Sequence, residues 1–235
     1  MDKLEIEIPE SLGDITLGQY QAWDKYYEAN KDNVSKDVLD KRLLEIFCNM
    51  SRRDVYSIKH TEFDRILAMF LDVFESKTEE LVQMFELNDL SFGFEPNIDE
   101  MSIGVYTDVE AHLFDWETCH IAMNALYRPI SDVRITKRFE QYQLCEYDPS
   151  LKSQELMKEM PLDIVLSAKV FFYNLGNELL NHSLLYLQGL KKTNKDLQEE
   201  NSSLLSGDGI NRFMHLQEEM LLELKKPLIC QYLKR

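Results

Sequence analysis

The sequence predicts a mainly α protein: a multi-helix domain with a small β-like excursion, then a long C-terminal helical hairpin with coiled-coil character. Three observations carry this expectation. The 235 residues include only 8 Gly and 6 Pro, so sharp turns are few, which disfavours a sandwich or barrel of many short strands. Apolar residues form 44% of the chain and recur mostly at helical spacing, enough to bury a sizeable core. Leu and Asn repeat every seven residues near the C-terminus. The chain divides into a helical domain over 1–150 and the hairpin over 151–235.

The domain contains one local motif twice, Asp14-Ile15-Thr16-Leu17-Gly18-Gln19-Tyr20 and Glu100-Met101-Ser102-Ile103-Gly104-Val105-Tyr106, each a few residues after a proline (Pro9, Pro96). Thr16 with Gln19 spells a capping box, and Ile15 with Tyr20 can close a hydrophobic staple around the helix start. The second copy keeps a Ser102 cap and a Met101–Tyr106 staple, but Val105 cannot return the reciprocal bond. Both copies therefore read as loop-to-helix motifs, with a further helix start at Thr107 and Glu110.

A first helix is predicted over 17–29, where Tyr20, Trp23, Tyr26 and Tyr27 form an aromatic stripe. A second follows over 36–50, carrying Val38, Leu39, Leu43, Leu44, Ile46 and Phe47. Ser51 opens a short helical turn, and Thr61 caps a strongly apolar helix in "HTEFDRILAMFLDVFES". Between 81 and 94 the pattern shifts to alternation, which predicts a strand or small hairpin. The next helix is expected over 107–126, stopping before Pro129 because the residue before proline avoids the helical region. The basic segment 128–147 reads as the β-like excursion. It holds Arg128, Arg134, Lys137 and Arg138 with apolar residues interleaved, and these cations either neutralise neighbouring carboxylates or contact a phosphate or an acidic partner.

From Pro161, suited to a first helical turn, a helix is predicted to about Leu205. Leu180, Leu187, Asn194 and Asn201 repeat every seven residues, and Leu190, Leu197 and Leu204 fill the complementary positions. Asn at such positions fixes register at a cost in stability. "SGDG" then turns the chain into a final helix ending at Pro227. That helix is one partner for the seam, and a second chain is the other. The stretch Ile164 to Leu187, with Phe171 and Phe172, is apolar on more than one face, so a single partner helix cannot cover it.

The formal charge of −16 excludes general coating of nucleic acid, since each phosphate contact needs a cation, although an acidic surface could line a path along which DNA slides. Cys48, Cys119, Cys145 and Cys230 are widely separated, as isolated reduced thiols would be. The acidic start lacks the apolar run of a signal peptide, and the greasiest stretch contains Lys169, Asn174, Asn177, Glu178, Asn181 and His182, so no membrane span is expected. His112, Asp115, Glu117, Cys119 and His120 cluster in sequence, but without metal-ligand spacing. Phosphate-cradle and nucleophile-elbow motifs are absent from the sequence. No enzyme activity, catalytic residue, metal or cofactor is therefore expected.

The order of "IPESLGDITLGQYQ", "FEPNIDEMSIGVYTDVEAHLFDW" and "HIAMNALYRPI" resembles small proteins of tailed bacteriophages, among them crAss-like and related phages. The resemblance covers roughly residues 5–24 and 92–130 and includes the Tyr127-Arg128-Pro129 element. It implies virion morphogenesis: a structural component of the portal–tail region, or a protein carried within the particle. The expected partners are other phage structural proteins or further copies of the chain. A tail-assembly chaperone absent from the mature virion is one alternative, and a nucleic-acid-binding regulator is another. The expected location is the virion, or the host cytoplasm during assembly. Residues expected to meet partners are Tyr127, Arg128, Arg134, Arg138, Phe171, Phe172, Leu187, Leu190, Asn194, Leu197, Asn201 and Leu204.

Overall fold

A computed structural model describes residues 6–76, 80–95, 101–135 and 140–193. The molecule is mostly helical with one small antiparallel sheet, and it resolves into two compact units that meet in sequence at Ser167 and Ala168.

The first unit opens with a 3-10 turn, Leu12–Asp14, whose Asp14 carboxylate accepts from the Ser11 backbone and hydroxyl and from the Glu10 N–H. The Ser11 hydroxyl and these amides hold Asp14 below the usual carboxylate range. Helix α1 (Leu17–Asn30) begins as its sequence requires. Thr16 Oγ1 accepts from the Gln19 N–H at 3.2 Å, and Gln19 Oε1 accepts from the Thr16 N–H at 2.9 Å. Ile15 and Tyr20 are both buried. The aromatic stripe splits between core and surface. Tyr20 and Trp23 are buried and Tyr27 stacks on Trp23, whereas Tyr26 lies under the Arg42 guanidinium.

Helix α2 spans Lys36–Phe47 and turns Leu39, Leu43, Leu44 and Phe47 inward. It ends before the expected Met50, because Asn49 takes φ 49° and turns the chain left-handed just past the helix. Helix α3 (Arg52–Ser57) is capped by Ser51, which accepts from the Asp54 N–H. Helix α4 (His60–Glu75) starts earlier than expected. Lys59 occupies the cap without a side-chain bond, and Thr61 lies inside the helix. Its buried residues Ile66, Phe70, Val73 and Phe74 follow the helical period, and Phe70 and Phe74 meet Phe47 of α2 at 5.8 and 5.6 Å.

The expected alternating region forms a hairpin of β1 (Met84–Leu87) and β2 (Leu90–Phe94). Asn88 and Asp89 both have positive φ, the geometry that a two-residue connection between twisted strands requires. The basic excursion forms β3 (Tyr127–Ile135) and β4 (Glu140–Leu144), with a register shift between Ile130 and Asp132. The four strands pair antiparallel in the order β1-β2-β3-β4.

The single helix expected over 107–126 is two helices. Helix α5 (Ile103–His112) is capped by Ser102, and Thr107, far from starting a helix, donates its hydroxyl to the Ile103 carbonyl inside α5. The expected Met101–Tyr106 staple is not buried, since Tyr106 is 53% exposed. The break comes from Asp115, whose carboxylate accepts from the Glu117 N–H and the Thr118 hydroxyl and so draws the backbone out of the helical ladder. Helix α6 (Cys119–Leu126) is buried on nearly every side, as its almost wholly apolar sequence demands.

Helix α7 (Leu151–Leu156), a 3-10 turn (Met157–Glu159) and the first residues of helix α8 (Leu162–Thr193) belong to the first unit, which runs to Ser167. The segment before α8 docks on the first motif: the Leu17 N–H donates to the Met160 carbonyl and the Leu162 N–H to the Ile15 carbonyl, both at 2.8 Å. Among the described residues no helix is long and apolar enough to cross a membrane. The expected continuation of the helix to Leu205, the SGDG turn and the final helix lie outside the described residues.

Candidate interaction surfaces

The Tyr127-Arg128-Pro129 element sits where α6 hands over to the sheet. Tyr127 is fully buried, its ring edge-on to Phe85 and Phe94 at 5.4 and 5.2 Å, and its hydroxyl donates to the Val82 carbonyl at 2.7 Å. Burial pushes the phenol well above its ordinary pKa, so it remains a neutral donor. Within this chain Tyr127 is therefore a core side chain.

Arg128 is likewise consumed inside the chain. Its guanidinium donates to the Glu95 carboxylate and, at 3.2 Å, to the Cys145 carbonyl. The Arg128 and Glu95 side chains are only 16% and 11% exposed. Register places Arg128 opposite Gly93. The Tyr142 ring crosses Gly93, where a Cβ would meet its Cε2 at 2.6 Å, and the Tyr142 hydroxyl donates to the Phe94 carbonyl at 2.7 Å. Arg128 is thus held by both a carboxylate and a carbonyl. The strand pairing beside it sets this environment. Glu95, missed by sequence reasoning, is the counter-ion. Its only signal was one of many acids lying one residue beyond an alternating run.

The remaining residues expected at an interface are spread along the chain. Arg134 pairs in register with Gln141 across β3 and β4, and Arg138 lies outside the described residues. Phe171 and Phe172 follow each other on α8, half-buried, with rings edge-to-face at 5.3 Å. Leu187 and Leu190 lie on the same helix three residues apart. Asn194, Leu197, Asn201 and Leu204 lie outside the described residues.

The His/Asp/Cys cluster shapes the α5–α6 connection. A His112 ring nitrogen meets the Thr118 hydroxyl at 3.0 Å, and the Gln21 amide donates to the Trp116 carbonyl at 2.8 Å and reaches His120 Nδ1 at 3.1 Å. Burial, reinforced by the Lys158 charge, lowers the His120 pKa. Among the described residues no group of three or more His, Cys, Asp or Glu is placed to hold a metal ion. A cleft of about 730 Å³ beside the α1 start includes Asp14, Gln19 and Cys48. Burial pushes the Cys48 thiol up to about 11, the reverse of an activated nucleophile. Sequence reasoning also missed a cationic corner on this acidic chain. Lys41 and Arg52 lie 4.8 and 5.7 Å from the exposed Tyr56 ring, within reach of a cation–π contact. Comparison of the chain with protein-family models, curated proteins and solved structures finds no match.

Proposed function

We propose that this chain is a non-enzymatic morphogenesis protein of a tailed phage that acts through protein–protein contacts. In this reading it is a structural component of the portal–tail region or a protein carried within the particle. The observation that carries the reading is α8. It runs unbroken for 32 residues, about 48 Å at 1.5 Å per residue. Leu180, Leu187 and Leu190 recur on it at heptad spacing, and the same spacing continues in sequence to Leu204. A helix of that length and pattern is suited to pairing with another chain. The phage assignment itself rests on the resemblance over residues 5–24 and 92–130. The net charge of −16 suits a surface near a DNA path and argues against the nucleic-acid-binding regulator.

Mass spectrometry of purified particles tests the proposal. Detection of the chain at a fixed ratio to the other particle proteins supports it. A chain missing from particles but bound to one phage protein in the infected cell rejects the structural component and leaves the tail-assembly chaperone.

A further inference from the structure

The two loop-to-helix motifs are alike in sequence and unlike in use. In the first, Leu17 and Tyr20 are buried, and Thr16 faces Pro161 in an isolated antiparallel bridge. Backbone bonds from Leu17 to Met160 and from Leu162 to Ile15 flank that bridge. Gly18 permits the close approach, since a Cβ there would stand 3.1 Å from the Lys158 carbonyl oxygen. The Met160-Pro161 link between the 3-10 turn and α8, running into Leu162, thus seals the first motif.

The second motif presents the same groups uncovered. Ile103 is 84% exposed and Tyr106 53% exposed. The nearest atoms to a Cβ built on Gly104 belong to the Tyr147 ring, 4.0 Å away. Among the described residues, neither the Met101 carbonyl nor the Ile103 N–H takes a hydrogen bond, although these correspond to the Ile15 and Leu17 groups that hold the first segment. Pro-Leu also occurs twice in the chain, at Pro161-Leu162 and at Pro227-Leu228. Charge matches the second pair. In sequence, Asp99 and Glu100 precede the second motif's Met101 and Asp108 and Glu110 follow its Tyr106, and no Lys or Arg occurs from 96 to 127, whereas Lys225 and Lys226 precede Pro227.

We propose that Met101–Tyr106 is a docking site for the Leu224–Ile229 segment of a second copy of this chain, bound as Lys158–Leu162 is bound by the first motif. The incoming backbone satisfies the Met101 carbonyl and the Ile103 N–H, its Leu228 covers Ile103, and its lysines face the acidic flank. Contacts of this kind run head to tail, one copy's segment on the next copy's motif. The proposal deepens the reading above by naming one partner, and it rests only on that reading's premise that the chain works through protein contacts.

Sedimentation of the purified full-length chain tests it without reference to particles, so its failure and that of the phage assignment are distinguishable. The native chain is expected to self-associate. Ile103→Asp and Leu228→Asp should each weaken association by at least about tenfold, or 1.4 kcal/mol. An equal mixture of the two should recover a one-to-one dimer, since each retains one intact half. Lys225→Glu with Lys226→Glu provides a second route should Leu228→Asp fail to fold, and it should weaken association similarly. A monomeric native chain, an oligomer that survives in the variants, or a mixture that stays monomeric would each overturn the proposal. The surviving oligomer would point to the heptad face, and a native monomer to another occupant of the motif.

Discussion

Gly93 lies beneath the Tyr142 ring, and that contact makes a sharp prediction at the scale of one residue. A methyl at Gly93 would stand 2.6 and 2.9 Å from two ring carbons and 3.0 Å from Leu144 Cδ2. Gly93→Ala should therefore destabilise the protein by about 1–3 kcal/mol, measured by urea unfolding, because the ring is anchored by its bond to the Phe94 carbonyl and cannot swing aside freely. His120 gives a second residue-scale expectation. Burial, with the Lys158 charge, lowers its folded pKa below the ordinary 6.5. The unfolded chain then binds the proton first, so this contribution to stability is complete above pH 6.5 and is lost as pH falls through the folded pKa. His120→Gln, which keeps a polar partner for Gln21, should show a shallower loss of stability on acidification below that point.

Elements bring in the turn chemistry. The β1–β2 connection places both Asn88 and Asp89 at positive φ, a conformation that L residues adopt at a cost and glycine adopts freely. Asp89→Gly should stabilise the hairpin by about 0.5 kcal/mol and raise the thermal midpoint, the relief of strain outweighing the added freedom of the unfolded chain. Asn88 is the poorer target, because its amide also donates to Glu159 at 2.8 Å. At the start of α1, Thr16→Ala should cost about 1 kcal/mol through loss of the cap. Gln19→Ala should cost more, because Gln19 also donates to the Ile46 carbonyl at 3.1 Å and so ties α1 to α2. The ranking of these two variants in urea checks that the box serves tertiary packing as well as the helix end. The same motif at Ser102 shows what local sequence leaves open: it starts a helix in both copies, yet only the first is covered.

At the scale of the whole molecule the dominant quantity is the charge of −16. Raising ionic strength from about 0.01 M to about 0.15 M shortens the screening length from about 30 to about 8 Å and should relieve self-repulsion, raising the thermal midpoint by on the order of 3 °C. A midpoint that fell with salt would show that exposed ion pairs such as Lys25–Glu117 outweigh the net field. Helix starts at Thr16, Ser51 and Ser102 were legible because capping is local chemistry, decided within four residues. The β1–β2 hairpin and the stop of α6 before Pro129 were legible for the same reason. Neutralisation of Arg128 by a carboxylate of its own chain was legible as one of the expectations for the basic segment, but the particular partners of Tyr127 and Arg128 were not. Both depend on Glu95, Val82 and Cys145, which are distant in sequence and meet only when four strands pair. The break between α5 and α6 needed Asp115 to hold Glu117 and Thr118, a competition that periodicity does not register. The sequence by itself thus determined the helical class, the caps at Thr16, Ser51 and Ser102 and the acidic charge, because these follow from local propensity and composition. Only the tertiary structure decided which copy of the repeated motif is covered, because burial depends on where Lys158–Leu162 comes to rest, and that is set by packing across more than a hundred residues of chain.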